Sequence, residues 1–101
     1  MKALACAVLL HVSLGAAAGC PVKRPGELPE LPDGATAARA EMVRARSTVD
    51  NYLLQAEAYL ACDVMNRRQY NALNARMDVL WESFNEEMIE YKVRTQMLAE
   101  K

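Results

Sequence analysis

The chain has 101 residues, 52% of them hydrophobic and 25% charged, with 12 Lys and Arg against 13 Asp and Glu. This balance is ordinary for a folded chain and excludes disorder over most of the length. It leaves no electrostatic footprint for nucleic acid or for an anionic lipid surface.

Residues 1–18 read as an export signal. Lys2 supplies a short positive start, Ala3 to Leu14 is apolar, and small residues follow. The apolar stretch is too short to span a bilayer comfortably, so it is read as a segment to be removed rather than an anchor. Two cleavage chemistries compete at its end. Ala16 and Ala18 stand at the two positions an ordinary signal peptidase reads, which predicts cleavage after Ala18. The alternative is a lipoprotein box, approximated by Ala17-Ala18-Gly19-Cys20, with Ala17 where such boxes usually carry Leu. Removing 18 of the 101 residues leaves 83, near the lower limit for a self-sufficient core, so a staple or a partner is expected. Loss of Lys2 would leave 11 basic against 13 acidic residues, a net charge of −2.

Of the three cysteines, Cys6 lies in the expected signal, and Cys20 and Cys62 remain. In an oxidising compartment such as a bacterial periplasm, an isolated pair in a small exported domain is most simply a disulfide. The alternatives are a lipid on Cys20 with Cys62 as a free thiol, or a Cys62 that is merely a small buried hydrophobe.

From Cys20 to Thr36 the chain carries Pro21, Pro25, Pro29 and Pro32. Proline every three or four residues forbids helix and favours an extended polyproline-type path with three residues per turn. Val22, Pro25, Leu28 and Leu31 follow that period. Residues 19–35 are therefore expected to be an extended arm with one apolar edge, while Lys23, Arg24, Glu27 and Glu30 face elsewhere; the plainer reading is a loose linker. Pro32-Asp33-Gly34 is a turn signal, and Thr36 is placed to cap a helix.

No proline or glycine occurs after Gly34, and the residues are rich in Ala, Leu, Met, Glu, Arg and Gln, which predicts helix. Met42, Ala45, Val49, Tyr52, Ala56 and Tyr59 recur three and four apart, with Leu53 and Leu60 widening the stripe. Tyr70, Leu73, Met77, Leu80, Phe84, Tyr91 and Leu98 do the same farther on, widened by Trp81 and Met88. Between the halves, Asp63 and Asn66 interrupt the apolar phase. The favoured fold class is all-α: a long antiparallel two-helix hairpin over 36–101, with helix 1 at about 36–62 and helix 2 at about 66–99. The alternative is a single long helix in a dimeric coiled coil, because the interruption lacks the glycine or proline that usually marks a turn.

Lengths connect the arm to the cysteines. A helix from Thr36 to Cys62 is about 40 Å long, and an extended arm from Cys20 to Thr36 covers about 50 Å. The arm can therefore run back along helix 1 and bring Cys20 beside Cys62, its apolar edge covering part of the groove between two helices. Closing that loop of about 43 residues would stabilise the fold by roughly 4 kcal/mol, a large share of a small domain's net stability.

Pro32-Asp33-Gly34-Ala35-Thr36 with Glu41-Met42, Glu57-Ala58-Tyr59-Leu60 with Cys62, and Phe84-Asn85-Glu86 come in an order that resembles a family of small uncharacterised secreted proteins of Gram-negative bacteria. The resemblance covers nearly all of the chain after the signal. It implies a periplasmic or exported helical hairpin with Cys20 and Cys62 bonded, and brings no activity with it. The sequence departs from the family pattern between Cys62 and Tyr70, where the family generally has a longer connection.

Candidate chemistry is sparse. His11 is the sole histidine and lies in the expected signal, so no histidine base, metal ligand or nucleophile–histidine pair is expected afterwards. Glu82, Glu86 and Glu90 form a carboxylate row that could be imagined around calcium or iron. A solvated face explains it better, with Glu90 also four residues before Arg94 as a helix-supporting pair; the Glu-x-x-His motif of ferritin-like sites is absent. Met42, Met65, Met77, Met88 and Met97 could suggest thioether copper ligands, but they lack a tight cluster and read as core filler. Arg67 and Arg68 could meet a phosphate or an acidic partner, yet fit an exposed turn. Tyr52, Tyr59, Tyr70, Trp81, Phe84 and Tyr91 read as core before they read as a binding groove.

The expected function is thus an exported structural or protein-interaction module, not an enzyme, without cofactor, metal or nucleic-acid ligand, and with a protein partner or a second copy as its target. Its expected location is periplasmic or secreted. The alternative is a small envelope lipoprotein anchored through Cys20, the one case in which the processed chain would sit on a membrane.

Overall fold

Two helices organise residues 19–100, the part of the chain that the computed structural model describes; the expected export signal, with Lys2, Cys6 and His11, lies outside these residues. Helix α1 spans Arg39–Ala61 and α2 spans Arg67–Ala99. They pack as a hairpin, and no helix among the described residues is long and apolar enough to cross a membrane.

The heptad-like stripes meet where their spacing puts them. Met42, Ala45, Val49, Tyr52 and Ala56 of α1 are buried against Leu73, Leu80 and Phe84 of α2, with Val49, Leu80 and Phe84 almost fully enclosed. Tyr59, Leu60, Met65, Met77, Met88 and Tyr91 are half-buried around them. Fully burying a side chain of this size stabilises by about 1.5–3 kcal/mol, so this seam carries most of the helix pairing.

The chain reverses between Cys62 and Asn66, and the expected break falls there. The last turn of α1 tightens through Cys62 N–H to Tyr59 O (3.1 Å) and Asp63 N–H to Leu60 O (3.1 Å). Asp63 then takes φ +53°, the left-handed position that ends many helices and that Asp tolerates better than most residues. On the far side, Asn66 caps α2: its side chain accepts from Gln69 N–H (2.8 Å), while Gln69 Oε1 accepts from Asn66 N–H (3.0 Å). This reciprocal box satisfies two otherwise orphaned donors. Aspartate and asparagine thus do the work for which glycine or proline was the expected sign.

Helix α1 starts at Arg39 rather than Thr36, and Thr36 does not cap it. Asp33 O accepts from both Thr36 N–H (3.0 Å) and Ala37 N–H (2.8 Å), and Asp33 Oδ1 accepts from Ala35 N–H (2.9 Å). The Asp-Gly turn therefore holds residues 35–37 in its own hydrogen-bond pattern and delays the helix. Ala38 becomes the N-cap, with its N–H donating to Glu41 Oε1 at 2.9 Å.

Residues 19–33 form the extended arm. Pro25 is buried and Val22, Leu28 and Leu31 are half-buried, whereas Lys23, Arg24, Glu27 and Glu30 are exposed. This is the threefold period of a polyproline-type path laid on an apolar surface. A Cys20–Cys62 disulfide pins its beginning to the end of α1, with the two Cα atoms 5.4 Å apart.

Candidate interaction surface

Polar contacts aim the arm into one of the two grooves that flank the helix pair. Gly26 O accepts from Tyr52 Oη on α1 (3.2 Å) and from Arg76 Nη2 on α2 (2.7 Å), so one arm carbonyl is held by both helices. Gln55 Nε2 donates to Lys23 O at 2.8 Å. Farther along, Gly34 N–H donates to Glu87 Oε1 (2.8 Å), and the Arg94 guanidinium donates to Gly34 O and Ala37 O while lying 5.3 Å from the centre of the Tyr91 ring. Gly34 must be glycine for a spatial reason: a Cβ there would sit 1.9 Å from the Glu87 carbonyl oxygen.

Among the described residues, nothing straps the opposite groove. Met77, Trp81 and Met88 succeed one another by four and seven residues and so share a row of α2. Trp81 is 43% exposed, and Tyr70, one turn into α2, is 47% exposed. Both were expected in the core; they lie on the flank of the stripe that the arm does not reach. Tyr52 and Phe84 are buried as expected, and Tyr59 and Tyr91 are half-buried.

At the far end α2 outruns its partner. The turn at Asp33–Ala37 packs against Glu87 and Arg94, so residues beyond Arg94 have no turn of α1 opposite them. Met97 and Leu98 are exposed there by 61 and 60%, and Ile89 and Val93, at the level of the turn, by 61 and 49%. With Ala35 and the rim residues Glu90 and Arg94 they line a shallow apolar groove of about 480 Å³. Met97 and Leu98 are consequently not core, contrary to the expectation drawn from their spacing; Met42 is buried, and Met65, Met77 and Met88 are half-buried. The helical period is genuine, but the helix that should cover it ends too soon.

The carboxylate row behaves differently from its sequence spacing. Glu82 and Glu86 point into solvent, whereas Glu90 joins Glu87 and Asp33, their ligand oxygens all within 4.8 Å of one another. Glu87 and Asp33 already accept backbone hydrogen bonds from the turn, and the Arg94 guanidinium is bound to the same turn. The cluster fastens the arm to α2. Arg67 and Arg68 are exposed in the first turn of α2, and Arg68 borders a small groove with Arg24, Pro25 and Arg76.

Sequence reasoning did not find Arg76, Glu87 or Arg94 as the residues that seat the arm. The only signal was Gly34, whose missing side chain marks a close approach without naming what approaches. Comparison with family models, with curated proteins and with solved structures finds no match.

Proposed function

We propose that the protein is an exported, non-catalytic interaction module of a Gram-negative cell, presenting the free end of α2 to an apolar helix of a protein partner. The observation that carries this reading is the groove along Ile89, Val93, Met97 and Leu98. An apolar row at steps of four on a solvated helix matches the helix-in-groove mode of recognition, and exposed contiguous apolar surface of this kind marks interaction sites on soluble proteins. The disulfide fits an oxidising location, periplasmic or secreted. A sulfur engaged in a disulfide has no valence left for the thioether of a lipid anchor, which favours a processed chain free of the membrane.

The test is capture from host periplasmic extract with the wild-type chain and with an Ile89→Glu/Met97→Glu variant, using a photo-crosslinker at Val93. A discrete partner crosslinked to the wild type and lost from the variant supports the reading; capture that is absent, or equal for both, refutes it. Intact mass settles the first residue of the processed chain. A polypeptide lighter by two hydrogens than its reduced form supports the disulfide, and a diacylglyceryl adduct on Cys20 supports the anchored alternative.

A further inference from the structure

Helix α1 has three sides, and two are taken. Its core row faces α2; the row Glu41, Arg44, Ala45 and Thr48 borders arm residues Glu30 to Pro32, and Tyr52 and Gln55 continue that row by bonding the arm. The third side carries Val43, Ser47, Asp50 and Leu54 at steps of four, three and four, with Arg39, Arg46 and Glu57 along one edge. Val43 and Leu54 are 59% and 65% exposed, large apolar side chains that no described residue covers, although Val43, Arg39 and Arg46 also border a groove leading to Met88 and Tyr91 of α2.

The order of charges on this side has a symmetry. Arg39 and Arg46 precede Asp50 and Glu57, and each basic residue has an acidic counterpart equally far on the other side of Thr48. Val43 and Leu54 are placed almost symmetrically about the same level. Turning the helix end for end therefore sets Arg39 opposite Glu57, Arg46 opposite Asp50, and Val43 opposite Leu54. A surface that matches its own reversed copy is what a two-fold, isologous contact requires.

We propose that this outer side of α1 docks antiparallel on the same side of a second copy of this chain, around a two-fold axis at the level of Thr48. The inference rests on the reading of the protein as an interaction module and names a partner for a face distinct from the end of α2. Arg46 and Asp50 already pair within the helix at 3.4 Å, so their pairing alone distinguishes nothing. Arg39 and Glu57 are decisive. They stand about 27 Å apart along one helix and can meet only between two chains. A single helix pair of this length lies at the low end of interface sizes, so the dimer is weak, with a Kd on the order of tens of micromolar.

Sedimentation equilibrium of the disulfide-bonded chain at low salt tests this with wild type, Arg39→Glu, Glu57→Lys, and an equimolar mixture of the two variants. Each variant alone places like charges opposite one another twice and should dimerise about tenfold more weakly. In the mixture every opposed pair is again of opposite sign, and affinity should return to within about threefold of wild type. Both positions are exposed, and acidic residue 39 suits the start of a helix, so unchanged circular dichroism and melting are expected. A wild type that stays monomeric to about 1 mM, variants that associate as the wild type does, or a mixture no tighter than its components would overturn the inference. If the wild type is monomeric while a partner is still lost on Ile89→Glu/Met97→Glu substitution, the self-association falls and the module reading stands. If dimers rescue by mixing while capture fails, the reverse holds.

Discussion

The two ends of the hairpin are finished in opposite ways. At the reversal the chain is tied at several points: Asp63 turns the chain, Asn66 and Gln69 cap α2, and Cys20 is bonded to Cys62. At the other end, the arm turns back through Asp33–Ala37 against Glu87 and Arg94, Ile89 and Val93 are exposed on α2 at that level, and α2 continues beyond with Met97 and Leu98 bare. The first end is closed by local chemistry and a covalent bond, the second by a few long-range contacts to one turn. The covalent and capping ties gather at the closed end and the proposed recognition surface at the open one, the division expected when binding elements are drawn from the less protected parts of a fold.

Removing the covalent tie should produce the largest effect of those that test this contrast. Cys20→Ser/Cys62→Ser is expected to lower unfolding free energy by about 4 kcal/mol, since the bond joins residues 42 positions apart; urea titration of the oxidised wild type beside the variant measures it. Next is Gly34→Ala, which forces a methyl into the Glu87 carbonyl. A loss of about 2–3 kcal/mol is expected, with amide exchange rising first in residues 34–38 if the turn lifts from α2. Asn66→Ala removes one half of the cap and should cost about 1 kcal/mol, read as a shift in the urea midpoint with an unchanged slope. Smallest is Ile89→Ser/Met97→Ser at the open end. Both side chains are more than half exposed, so the change in stability should stay within about 0.5 kcal/mol; a loss as large as that at Gly34 would mean that the two ends are not different in kind.

Sequence periodicity revealed the helices and most of the core because burial between two helices imposes a three-and-four spacing that few other arrangements produce. The arm was legible for the same reason, since Val22, Pro25, Leu28 and Leu31 repeat every third residue. What periodicity does not contain is the length of the partner. Met97 and Leu98 continue the pattern of α2 correctly, but α1 begins only at Arg39 and cannot cover them. Thr36 misleads for a related reason: its cap chemistry is sound in isolation, yet Asp33 three residues earlier draws the amides of residues 35–37 into a turn, and the helix starts only after it. Arg76, Glu87 and Arg94 bind backbone carbonyls and an amide of residues 50–60 positions away, and a residue's attraction to a distant main chain leaves no local trace. The outer side of α1 lies outside the core stripe, and the reversed order of charge around Thr48 gains meaning only once the arm and α2 occupy the other two sides.

The disulfide makes the arm and α1 into a covalent ring and leaves α2 as a tail outside it. A protease that nicks one bond between Pro21 and Ala61 gives two pieces that still migrate as one species until a reductant is added. A nick within α2 leaves its distal fragment held by non-covalent contacts alone, so that under denaturing conditions it separates without any reductant.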